Sequence, residues 1–78
     1  MDDTELVTRT REMLRNGKAQ DLRRRAGLSL REAARASGVA HCTIYCWENR
    51  RSRGRPALLA RYSRFLLRLA KIEEAHHG

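Results

Sequence analysis

Cysteine is scarce, and its scarcity removes one class of protein at once. Two cysteines in 78 residues cannot make the disulfide framework that holds small secreted domains together. Aromatic residues are few: one Trp, two Tyr and one Phe. No apolar run approaches the roughly 20 residues that span a bilayer, so no membrane partner is expected. The opening MDDTELVTRT has no basic start followed by an apolar block, so no secretory signal is expected. Proline occurs once, at Pro56. No segment alternates like a strand, and β-branched residues are few. A chain of this length holds one small domain at most. The fold class expected is all-α.

Catalytic groupings are missing too. There is no carboxylate pair, no glycine-rich phosphate loop and no nucleophile set beside a base. No enzyme activity and no cofactor are expected. His41, Cys42 and Cys46 are the only cluster of metal-ligand type in the body of the chain. A structural zinc site takes four ligands, and His76 and His77 lie far along the chain, so no metal is expected. Helical neighbours point about 100° apart, so His41 and Cys42 are no catalytic dyad. A Cys42–Cys46 disulfide inside one helix would be strained. Two exposed thiols among arginines remain open to a redox switch, against the plainer reading of two small residues tolerated on a surface.

Acids are the last absence. Residues 18–68 carry 13 basic side chains against three acids, Asp21, Glu32 and Glu48. Residues 1–17 are close to neutral. A basic block so poor in acids calls for a polyanionic partner; a surface built only for solubility would mix the two signs.

Glycines cut the chain into short helices. The first is expected from Thr4 to Asn16, capped by Asp3 or Thr4, with Leu6, Thr10, Met13 and Leu14 on one side. In KAQDLRRRAG, Leu22 and Ala26 are expected to face the core. Ser29 with Glu32 forms a capping box for a helix from Leu30 to about Ser37, ended by Gly38. The next helix is expected from His41 to about Asn49. RRSRGR, residues 50–55, is a basic loop. Pro56 suits the first turn of a last helix, whose stripe is Leu58, Leu59, Tyr62, Phe65, Leu66, Leu69 and Ile72. The tail EEAHHG is expected to fray. The expected division is an N-terminal helix over 1–17, a basic helical unit over 18–70 and a tail over 71–78.

Two short helices joined at Gly38, within a basic helical bundle, have the pattern of a helix-turn-helix. Ala33 and Ala34 allow close helix packing, Gly38 supplies positive φ, and Val39 plugs the corner. Ile44 and Trp47 fall on one face. The core expected is Leu22, Ala34, Val39, Ile44, Trp47, Tyr62 and Leu66. LRRRAGLSLREAARASGV followed by TIYCWEN resembles the Cro/lambda-repressor-type helix-turn-helix family, also called the xenobiotic-response-element family. The resemblance covers about residues 18–70. It implies a compact lambda-repressor-like bundle of about five helices. It also implies binding to double-stranded operator DNA, commonly as a dimer, and an interior ion pair between Arg23 and Glu48.

By that resemblance His41, Cys42, Tyr45 and Cys46 stand at base-reading positions in the major groove. Arg31, Asn49, Arg50, Arg51, Arg53 and Arg55 are expected on phosphates. Two positions depart from the family pattern. Ala40 stands where a Ser or Thr cap is usual, and the reading face has no Arg, Gln or Asn before Asn49. Base reading through methyl contacts and DNA shape is therefore expected beside strong phosphate binding. Leu67 is surplus to one core face, so a homodimer through the last helix is expected. The function these features imply is a small repressor of phage or mobile-element type, cytoplasmic and nucleoid-associated in a bacterial cell. Two alternatives stand beside it: an excisionase-like factor in recombination, and a protein-interaction module of antirepressor or antitoxin type.

Overall fold

A computed structural model describes residues 2–77, with side chains through Ala75. It contains five α-helices: α1 Asp3–Asn16, α2 Lys18–Arg25, α3 Leu30–Ser37, α4 His41–Glu48 and α5 Pro56–His77. No strand occurs among the described residues. The radius of gyration is 11.5 Å, about that of a folded chain of this length. No helix among the described residues is long and apolar enough to cross a membrane.

Local rules set most helix ends. Asp2 is extended, with φ −83° and ψ 169°, and its Oδ1 accepts the Glu5 amide at 2.9 Å. It therefore caps α1 in place of the expected Asp3 or Thr4. Those two lie inside the first turn, where Asp3 faces the positive end of the helix dipole. Gly17, at φ 85°, ends α1 and starts α2 without a linker. The Ser29 box closes in both directions: Ser29 Oγ accepts the Glu32 amide, and Glu32 Oε1 accepts the Ser29 amide. The second bond, from the Ser29 backbone amide, holds the Glu32 carboxyl below the usual carboxylate range. Its contribution is full above that range and is lost as pH falls through the depressed value. Ser29→Ala removes the hydroxyl cap and keeps that amide, so it is expected to lose about 1 kcal/mol in urea unfolding at neutral and acid pH alike.

The core gathers around Trp47, Tyr62, Ile44, Leu59 and Val39. The Trp47 and Tyr62 rings are 5.6 Å apart at 59°, and Phe65 continues the row 5.4 Å from Tyr62. α1 lies against α5 and buries Leu6, Val7 and Leu14. Inside that contact the hydroxyls of Thr10 and Ser63 bond each other, and Ser63 Oγ reaches the Leu59 carbonyl at 2.8 Å.

Several expectations shift. α1 packs against α2, α4 and α5. α5 runs through the expected tail as far as His77; Gly78 lies outside the described residues. Ile72, expected on the buried stripe, is 53% exposed, and Leu58 is half-buried. Leu22 and Ala34, expected in the core, sit half-buried at its margin. Ala26 is exposed, because α2 stops at Arg25 and turns it outward. Ala19 and Ala33, both at 0% exposure, are fully buried in the core, where a larger side chain would overpack it.

Candidate nucleic-acid interface

α3 and α4 are joined by three residues, Gly38–Ala40. Gly38 has φ 76°, and its amide reaches the Ala34 carbonyl at 2.9 Å. That left-handed step turns the chain sharply, and Val39, 2% exposed, fills the corner behind it. Ile44 and Trp47 then bury one side of α4. Ala40 precedes α4 without a side-chain cap.

The Arg23–Glu48 pair fixes where α4 lies. Arg23 Nε donates to Glu48 Oε2 and Nη2 donates to Oε1, each at 2.8 Å. Arg23 Nη1 donates to the Leu28 carbonyl at 2.8 Å. The side chains are 9% and 2% exposed. A forked guanidinium thus ties the end of α4 to α2 and to the loop before α3. The bonded carboxylate outweighs burial and holds Arg23 further toward its charged form. Beside the pair, burial keeps the Tyr62 phenol neutral, well above its usual range.

The opposite side of α4 presents His41, Cys42 and Tyr45, all exposed. Cys46 is only half-buried where full exposure was expected for its thiol. The chain folds back over the last turn of α4, and the Arg51 amide bonds the Cys46 carbonyl at 2.8 Å. That fold-back is a Schellman closure, completed by the Arg50 amide on the Trp47 carbonyl at 3.1 Å. It places Arg50 at φ 59°, the left-handed position where glycine is usual.

The expected phosphate contacts divide into groups. Asn49 turns its amide back onto the Tyr45 carbonyl at 2.8 Å. Arg51 lies over the Tyr45 ring, 5.8 Å from its centroid, so the basic loop meets the α4 surface there. Arg50, Arg51 and Arg53 converge on one pocket. Arg31 stands apart on the first turn of α3, and Arg55 sits just before α5; both are exposed. Leu67, 43% exposed, borders a groove between α1 and α5.

The chain matches no family model, no curated protein and no solved structure. The reading of the site therefore rests on its own chemistry. Among the described residues no group of three or more His, Cys, Asp or Glu is placed to hold a metal ion. The sequence reading missed Arg11 and Arg15, which come from α1 to the pocket of the basic loop. Their spacing of four, one helical turn, was the available signal.

Proposed function

We propose that this protein binds double-stranded DNA through α4 and regulates transcription, as a small repressor of the Cro kind. One observation carries the reading: α4 buries Ile44 and Trp47, presents His41, Cys42 and Tyr45, and is flanked by a loop of arginines. A short helix of this kind, docked by its inner face after a tight turn, can enter a major groove. The arginines supply the sequence-independent attraction. On α4, His41 donates to purine acceptors and Cys42 packs against thymine methyls. A homodimer, with α5 and Leu67 at its interface, would place two α4 helices on a two-fold site.

The test is selection of bound sites from random duplex DNA, followed by titration at several salt concentrations. A short, two-fold symmetric site is expected. Affinity falls steeply with salt, and Arg53→Gln lowers the logarithmic slope by roughly 1 while weakening all sequences alike. His41→Ala changes which sites are chosen. Binding indifferent to salt would sink the proposal. A long asymmetric array would favour the recombination factor.

A further inference from the structure

Arginines from two distant stretches meet at an open pocket of about 630 Å³ between the second half of α1 and the loop after α4. Arg11 and Arg15 come from α1, and Arg50, Arg51 and Arg53 from the loop. No carboxylate lines it among the described residues, and Trp47 forms part of its wall.

The fold holds two of these cations, Arg50 and Arg11, by hydrogen bonds to backbone carbonyls. Arg50 occupies a left-handed backbone position that glycine fills more easily. Its Nη2 donates to the Arg15 carbonyl at 2.7 Å, which anchors the guanidinium at the end of α1. Arg11 donates from Nη2 to the Gly54 carbonyl at 3.4 Å, and its buried Nε has no partner. Five like charges gathered this way repel one another, and a multivalent anion removes that repulsion. Guanidinium forks match the spacing of phosphate oxygens.

We propose that this pocket is a phosphate-binding site, taking either a backbone phosphate of nucleic acid or a free pyrophosphate-type anion. It stands on the pocket alone and does not require that α4 read bases. If the phosphate belongs to nucleic acid, α1 joins the binding surface.

Trp47 is the single tryptophan, so its fluorescence reports the pocket directly. Pyrophosphate is titrated into the full chain at constant ionic strength, and duplex DNA is titrated separately. A saturable change in Trp47 emission is expected. Arg11→Gln and Arg53→Gln should each weaken it about tenfold, and Arg61→Gln, away from the pocket, should not. Arg53 is exposed, so its variant keeps the fold if Arg11→Gln does not. A nucleic-acid phosphate is indicated if pyrophosphate competes with DNA and Arg11→Gln reduces the salt slope by roughly 1. A free anion is indicated if pyrophosphate binds while Arg11→Gln leaves DNA binding unchanged. If pyrophosphate produces no saturable change and Arg11→Gln keeps the wild-type salt slope, the site is rejected. Failure of DNA binding alone would reject the α4 reading and leave the pocket standing.

Discussion

Glu48→Ala is expected to lower stability by ~3–5 kcal/mol. A chain of this size has a total of about 4–12 kcal/mol, so the variant should be largely unfolded well below the wild-type melting temperature. The cause is the charge left behind. Arg23 is 8% exposed, and without Glu48 it keeps only the Leu28 carbonyl among the bonds its guanidinium makes here. A cation that cannot reach water and has lost its carboxylate is strongly unfavourable. The same pair on the surface would be worth under about 1 kcal/mol, so urea unfolding separates the two descriptions. Arg23→Met combined with Glu48→Leu should recover most of the loss, because no charge then stays buried. A loss below 1 kcal/mol for Glu48→Ala would mean that the pair does not anchor α4. If it does anchor α4, the variant should lose DNA binding with no charge removed from the proposed contact surface.

The pair also shows what can be read from a sequence. Glu48 is the only acid between Arg35 and Lys71, and the family resemblance implied Arg23 as its interior partner. Ser29 with Glu32, Gly38 and Pro56 were legible because each obeys a rule spanning four residues or fewer. The buried half of α4 was legible because Ile44 and Trp47 are three apart. What escaped depends on distant packing. Nothing near Arg50 announces a left-handed residue, since the usual marker is glycine and the chain has arginine there. The inner face of α2 was placed on Leu22 and Ala26, but Ala19 fills it beside Arg23, whose interior place only the resemblance had implied. Arg23 is a charged residue that hydrophobic patterning sends to the surface, and only its partner on α4 brings it inside. Arg11 and Arg15 belong to a stretch, residues 1–17, whose charges nearly cancel. They become part of a basic pocket only because α1 docks beside the loop after α4.

Gly54→Ala is the second large effect, and Gly38→Ala is its control. Both glycines have positive φ, 83° at Gly54 and 76° at Gly38. An L-residue in that region costs roughly 1–2 kcal/mol at either site. Beyond the backbone they differ. A Cβ on Gly38 meets nothing within 4 Å, whereas one on Gly54 would lie 2.5 Å from Trp47 Nε1 and 2.8 Å from Cε2. The indole has little room to retreat, because Trp47 is 2% exposed and packed against the tilted Tyr62 ring. Overpacking adds ~1–3 kcal/mol, so Gly54→Ala should be the more damaging by that amount in urea unfolding. In a Trp47→Phe background the indole edge is gone, and the extra cost should fall toward that of Gly38→Ala. Equal costs at the two glycines in the wild-type background would show that the loop moves freely over the tryptophan. The difference bears on function, because Gly54 lets residues 50–55 pass directly across Trp47. Its carbonyl also receives Arg11. A side chain there pushes the basic loop outward and separates the arginines of the loop from those of α1. Gly54→Ala should therefore weaken pyrophosphate binding under conditions where circular dichroism shows the variant still folded, and Gly38→Ala should not.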